Sequence, residues 1–453
     1  MLRSVCKGYR QPRSAFEWSW RIGHRVGCLR PFGSDTEAAS DIVTFGDVSL
    51  AAFRILGKVR KTECAKSHAL SSITGTELYL KKDLNQFTGS FKERGACNAL
   101  LTLSAEERTA GVCAASAGNH ALALAWWGKQ LGIPVTVAMP TIAPLTKVSR
   151  CRSFDAEVLS HGSHIGEAKE FVRRERASMK YINGYDDAEI IAGAGTMAVE
   201  ILEQVSDVDV IVVPVGGAGL IAGVSLAVKA LKPSVRVIGV EPEFCASLSA
   251  ALAAGAPVEP EVVKSTLADG LAVPVVGSRA FRVSQEHVDE CVQVSELLIA
   301  LALLRLVEAE KTISEGGGAA GVAALLPGGP LDRPDLKGKK VVVPICGGNI
   351  DTPVLGRVID RGLAADGRLV RFVATVSDRP GGVSRLTRLL ADLGASIKDI
   401  HHDRAWLHTS VDNTLVKCVI ETLGKEHNEE IKRAISAVYP VVWDKDASPA
   451  VMM

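Results

Sequence analysis

Ile211-Val212-Val213-Pro214-Val215-Gly216-Gly217-Ala218-Gly219-Leu220 reads as a strand, a glycine turn and the start of a helix. The segment 208–213 is the most strongly hydrophobic strand candidate in the chain. The same pattern repeats on both sides of it. Strands are expected at 112–115, 135–139, 156–159, 181–183, 236–240 and 341–345, and short ones also at 78–82. Helices are expected between them at 119–131, 166–178, 190–205, 220–231 and 353–363. Parallel strands need crossover connections, so strict alternation predicts an α/β, doubly wound, mostly parallel fold. About 300 residues of it predict two lobes with a site between them. Glycines 216, 217 and 219 let backbone N–H groups close on an anion at a helix start, and a tight structural turn reads equally well. The loop is not GxGxxG and carries no Walker lysine, so neither a dinucleotide nor a nucleoside triphosphate is its natural ligand.

The 453-residue chain is 47% hydrophobic and 23% charged, the composition of a globular protein. Its net charge of +1 argues against a nucleic-acid partner. The 10 cysteines form no CxxC pair or regular spacing, so free thiols in a reducing compartment are expected. The uncharged run 210–228 is long enough to span a membrane, but its glycines and Pro214 suit a buried strand, turn and helix better. Residues 1–40 differ from the rest. Arg3, Lys7, Arg10, Arg13, Arg21, Arg25 and Arg30 are opposed only by Glu17 before Asp35. This is the style of a mitochondrial transit peptide, and equally of an N-terminal extension on a cytoplasmic protein.

Three further stretches carry candidate chemistry. Thr88-Gly89-Ser90-Phe91-Lys92-Glu93-Arg94-Gly95-Ala96 reads as a helix start, with Ser90 and Glu93 spaced as a capping box and Lys92 inside it. A lysine can form a Schiff base with an aldehyde-bearing cofactor, although most helix lysines are simply solvated. Ser116-Ala117-Gly118-Asn119-His120 lies between a strand and a helix, where Ser116 and nearby amides can bind a carboxylate. Cys346-Gly347-Gly348-Asn349 ends a buried strand; Cys346 is either core or a weak donor to a heterocycle nitrogen. His120, His161 and His164 read as packed or solvated, and His401 and His402 as solvated or lining an effector pocket.

From residue 369 the pattern restarts. Strands at 370–376, 397–402, 414–421 and 441–443 and helices at 383–393 and 427–438 form a βαββαβ, ferredoxin-like unit. The expected division is an extension 1–40, a catalytic region 41–363, a linker 364–368 and a terminal unit 369–445.

In this order the motifs resemble the tryptophan synthase β-like family of pyridoxal-phosphate enzymes, and within it the threonine/serine dehydratases. The terminal unit resembles an ACT domain, an amino-acid-sensing module, through Asp378-Arg379-Pro380-Gly381. The resemblance implies that Lys92 carries pyridoxal 5'-phosphate as a Schiff base and that Phe91 packs beside its ring. It implies that Asn119 bonds the ring hydroxyl and that Gly216, Gly217, Ala218 and Gly219 hold the phosphate. Cys346 would face the ring nitrogen, and Ser116, Ala117 and Gly118 would face the substrate. An amino-acid substrate, an amino-acid effector and a homodimer or homotetramer follow from the same likeness. Ala117 stands where similar serine racemases place a second acid/base serine, so racemisation should be minor. Glu241 matches a cation-binding carboxylate of relatives, but the positions of its partners are Cys245 and Ser247, which leaves a bound cation open.

Overall fold

The computed structural model describes residues 42–404 and 412–443. The N-terminal extension expected at 1–40 lies outside the described residues. The strands are β1 (Cys64–Lys66), β2 (Glu77–Lys81), β3 (Val112–Ala115), β4 (Val135–Met139), β5 (Glu157–Ser160), β6 (Lys180–Tyr181) and β7 (Val210–Pro214). They continue with β8 (Arg236–Pro242), β9 (Glu290–Val294), β10 (Lys340–Pro344), β11 (Leu369–Ser377), β12 (Ser396–Asp403), β13 (Asn413–Glu421) and β14 (Val441–Trp443).

Three sheets result. The larger has the order β1-β2-β10-β7-β8-β9 and is parallel except at the antiparallel β1–β2 pair. The smaller, β5-β4-β3-β6, is wholly parallel. These two sheets are the lobes expected from the alternation of strands and helices. Along β7, Val210 and Val212 enter one hydrophobic core while Ile211 and Val213 enter another. Side chains alternate across a strand, so a sheet covered on both faces needs apolar residues at successive positions. The continuous run at β7 meets that requirement.

Three helices bring the lobes together: Lys92–Leu101, Ala188–Gln204 and Gly219–Leu231. They cross where side chains are absent. A Cβ at Gly193 would lie 2.6 Å from the Arg94 carbonyl oxygen, and one at Gly223 would lie 2.3 Å from that of Ile191. Glycine at these crossings lets the backbones approach. A buried ionic cluster locks the same junction. Arg94 donates to Asp83 at 2.7 and 2.9 Å and to Glu200 at 2.6 and 2.9 Å. Lys81 donates to Glu200 at 2.6 Å and to Gln204 at 2.8 Å.

The C-terminal strands form a separate antiparallel sheet, β12-β13-β11-β14, with helices Gly382–Asp392 and Lys425–Val438 on one side. Phe372, Leu386, Leu390, Ile431 and Ile435 pack in its own core. This is the expected ferredoxin-like order. His401 and His402 border a cavity of about 490 Å³ on this sheet, with Arg371, Asp399 and Lys417.

Two expectations need correction. The sequence at 45–60 predicts an amphipathic helix with Val48, Leu50, Ala51, Phe53, Ile55 and Leu56 on its apolar face; the helix Phe45–Ile55 forms and buries Val48, Ala51 and Ile55, but Leu50, Phe53 and Leu56 are exposed. The helix Thr352–Ala365 also overruns the expected linker, leaving only residues 366–368 before β11. The run 210–228 is β7, a loop and part of a helix, and no described helix is long and apolar enough to cross a membrane. The described cysteines are free.

Candidate active site

Lys92 is the first residue of its helix, and Phe91 occupies the cap position. The capping box expected from Ser90 and Glu93 is not formed. The Ser90 hydroxyl is buried without a partner, and the Glu93 carboxylate reaches back to the Thr88 N–H instead. Tertiary contacts hold the stretch. Phe91 N–H donates to the Cys346 carbonyl at 2.9 Å, Gly348 N–H to that of Gly89 at 3.0 Å, and Ser90 forms an isolated bridge with Gly347. The lysine loop and the Cys346 loop are therefore one hydrogen-bonded piece.

Lys92 Nζ donates to the Gly184 carbonyl at 2.5 Å. Burial lowers the Lys92 ammonium to about 8, against the opposing pull of the nearby Cys346 and Glu315. Burial also pushes the Cys346 thiol well above its usual range, so the thiol is neutral. Glu315 went unread in the sequence. Its carboxyl is raised to about 7, chiefly by burial and then by the charge of Asp269. Its Oε1 accepts from Asn119 Nδ2 at 2.6 Å, and Asn119 Oδ1 accepts from Asn349 Nδ2 at 2.8 Å. Asn349 also donates to the Thr88 carbonyl at 2.7 Å. Asn119, Glu315, Asn349 and the lysine loop thus form one connected network.

Four helix starts around this network lack a side-chain cap: Lys92, Asn119, Gly219 and Gly316. Some other helices, those starting at Phe45, His68, Ala105 and Ala188, are capped by Thr44, Ser67, Ser104 and Asp187, while others, such as those starting at Leu145 and Lys425, are not. Open N–H groups at a helix start favour an anion. At the Gly219 start, Ala218 adopts φ +70°, a left-handed conformation that alanine rarely takes. The flanking glycines have a packing cause. A Cβ at Gly217 would lie 2.3 Å from the Tyr185 ring, and one at Gly219 would lie 2.3 Å from the Tyr185 carbonyl oxygen. The segment 183–186 was also missed. Gly184 receives Lys92, Tyr185 backs the glycine loop, and the Asp186 carboxylate accepts from the N–H groups of Ser278, Arg279 and Ala280.

Ser116, Ala117 and Gly118 are half-buried between β3 and the helix Asn119–Leu131, with Ser116 Oγ accepting from Gly118 N–H at 3.2 Å. Glu241 does something other than join this network. Its carboxylate accepts from Leu248 N–H at 2.6 Å, Ser249 N–H at 2.9 Å, Ser249 Oγ at 2.6 Å and Cys291 Sγ at 3.3 Å. It caps the helix Ser247–Ala254, whose first residues need those acceptors. Four donors already occupy these oxygens, and among the described residues no group of three or more His, Cys, Asp or Glu is placed to hold a metal. His161 stacks on Phe171 at 3.9 Å, and His164 accepts from the Glu167 N–H at 3.4 Å, so both are accounted for outside the site.

Residues 55–347 match the family model described as "Pyridoxal-phosphate dependent enzyme". The chain is 42% identical to an L-threonine ammonia-lyase from Thermotoga maritima, over 87% of this chain and 98% of that protein. Among solved structures, the processed form of threonine deaminase isoform 2 from Solanum lycopersicum superposes with a TM-score of 0.66 at 30% identity, covering 74% of this chain and 99% of that one. A serine racemase from Dictyostelium discoideum gives 0.64 at 35% identity, covering 68% and 99%. Over the lobes that build the lysine, asparagine and glycine-loop network, the chain belongs to the pyridoxal-phosphate-dependent enzymes.

Proposed function

We propose that this protein is a pyridoxal-phosphate-dependent L-threonine ammonia-lyase, forming 2-oxobutanoate and ammonia from L-threonine and pyruvate and ammonia from L-serine. The observation that carries the reading is Lys92: half-buried, its ammonium lowered to about 8, and held against Gly184 within one network with Asn119 and Cys346. The residues present fit the cofactor. Lys92 suits its aldehyde, the uncapped start at Gly219 suits its phosphate, and the neutral Cys346 thiol suits its ring nitrogen. With the cofactor bound, Phe91 would pack beside the ring, Asn119 would reach the ring hydroxyl, and Gly216, Gly217, Ala218 and Gly219 would hold the phosphate.

Bound pyridoxal phosphate supplies the electron sink that labilises the substrate Cα–H bond. Lys92, as a neutral amine, takes the Cα proton; its lowered pKa gives a useful neutral fraction near pH 8. Ser116 and the open helix start at Asn119 hold the substrate carboxylate. The β-hydroxyl departs with a proton as water. The released enamine tautomerises, regains one water and yields the 2-oxoacid and ammonia. A neutral thiol cannot stabilise a ring cation as a carboxylate would, which favours prompt loss of the β-group. Ala117 cannot move a proton, which disfavours the racemase reading.

The C-terminal unit is read as an ACT-like module that senses an amino acid, and the assembly as a homodimer or homotetramer. The Arg-rich N-terminus is read as a mitochondrial address, with cytoplasmic residence as the alternative. A 2-oxoacid assay with L-threonine and L-serine, with and without branched-chain amino acids, tests all but the last two. Product formation with a visible cofactor absorbance that disappears in Lys92→Ala supports the reading. Purified protein with neither product nor absorbance would make it an inactive sensor.

A further inference from the structure

Lys92 Nζ rests on a backbone carbonyl, and that carbonyl is fixed from behind. The Gly184 peptide has no side chain of its own to hold it. Two other side chains hold it: Asn183, whose Oδ1 accepts from the Tyr185 N–H of the same peptide at 3.1 Å, and His120, whose ring lies so close that a Cβ on Gly184 would sit 2.7 Å from His120 Cγ and 2.8 Å from Cδ2. His120 is anchored in turn, with Nε2 3.2 Å from the Ile182 carbonyl oxygen. Only the tautomer with hydrogen on Nε2 can donate there, and Nδ1 is then a buried acceptor without a partner. The ring is 5% exposed, and burial together with the neighbouring Lys92 charge keeps it neutral, lowered to about 3. His120 therefore keeps one charge state and one orientation throughout the working pH range, as a structural prop requires. It is also the residue after Asn119, so the helix start that carries the cofactor-facing amide carries the prop as well.

We propose that His120 is a positioning residue: it fixes the Gly184 carbonyl as the resting place of the Lys92 amine whenever the substrate amine has displaced that lysine. A neutral amine donates one N–H to this carbonyl and keeps its lone pair free. The donation orients the lone pair and stops the flexible side chain from wandering. The proposal rests on Lys92 being the cofactor lysine.

The test uses holoenzyme and L-alanine, which can displace Lys92 but has no β-group to lose. The readout is the visible absorbance change on titration with L-alanine between pH 6 and 9. His120→Ala and Gly184→Ala should each retain the cofactor absorbance but weaken the response to L-alanine roughly tenfold, as loss of one hydrogen bond to the amine implies. Each should also move its pH midpoint down, because the carbonyl favours the charged lysine. In the double variant the clash between the new Cβ and the imidazole is gone, so its loss should be smaller than the product of the single losses. His120→Gln retains a donor for the Ile182 carbonyl and should recover part of the response, which also covers a single variant that fails to fold. An unchanged affinity and pH midpoint in folded His120→Ala and His120→Gln would overturn the proposal. If Lys92→Ala keeps the chromophore, the cofactor-lysine assignment fails instead, and the positioning role fails with it.

Discussion

Asn119 Nδ2 donates to Glu315 Oε1 across 2.6 Å, joining the helix start after β3 to the helix start at Gly316 in the other lobe. The carboxyl is raised from 4.5 to about 7, first by burial and then by Asp269. A raised folded pKa means the native state holds the proton more tightly than the unfolded chain. The stabilisation is complete below about pH 4.5 and is lost as pH rises through about 7. The apoprotein should lose on the order of 3 kcal/mol over that window from this group alone. Glu315→Gln should flatten this slope and melt higher than the unsubstituted chain at pH 8 but not at pH 5. Thermal melts across pH 5–8 check this.

Arg94 is buried between Asp83 and Glu200, two residues after Lys92 on the same helix. Removing the guanidinium leaves the buried Asp83 carboxylate without its ion-pair partner and Glu200 with Lys81 alone. Breaking a buried pair in this way typically costs about 3–5 kcal/mol. Arg94→Met should therefore destabilise by that order in urea unfolding. It should also weaken cofactor retention, because the helix that starts at Lys92 loses its anchor. Equilibrium unfolding together with cofactor absorbance after dialysis measures both.

The legible parts of this protein were those whose cause is local. Strand, glycine turn and helix at 210–231 follow from hydrophobic runs and chain breakers, and the presence of two lobes follows from the length of the alternating region. The Ser116–Asn119 stretch stands out because a helix start after a strand has open amides, and Lys92 because an amine can bind an aldehyde and its surrounding motif resembles that of the cofactor enzymes. What failed was decided at a distance. Ser90 and Glu93 have the spacing of a capping box, but the bridge to Gly347 captures Ser90, and Glu93 turns to Thr88. Leu50, Phe53 and Leu56 were apolar but lie on the side of their helix away from the core. Glu315 had a readable signal: it precedes Gly316-Gly317-Gly318, a glycine-rich helix start like the one at 216–219. Gly184 had none, because what matters there is a carbonyl, and any residue has one.

Glu241 should behave as a helix cap. With its oxygens accepting from Leu248, Ser249 and Cys291, the carboxylate is committed to the start of the helix Ser247–Ala254. Glu241→Ala leaves buried N–H groups without acceptors, at a cost of about 1–3 kcal/mol. Melting of the unsubstituted protein should be unmoved by calcium, magnesium or a chelator. A rise in melting temperature on adding either cation would show that the carboxylate exchanges its N–H partners for a metal.

Ala117 offers the sharpest separation from the racemases that share this fold. Its methyl group sits between Ser116 and Gly118 and can neither give nor take a proton. Ala117→Ser adds one hydroxyl at a half-buried position with little change in volume, so the fold should be retained. A positioned general acid or base contributes roughly 10²–10⁴-fold. A serine introduced at this one position should fall at or below the low end. Incubated with L-serine, the substituted enzyme should release D-serine above the background of the unsubstituted chain, while pyruvate remains the main product. Chiral chromatography of both reactions measures this. If the unsubstituted enzyme already makes D-serine in an amount comparable to pyruvate, then a group other than residue 117 reaches the second face of Cα.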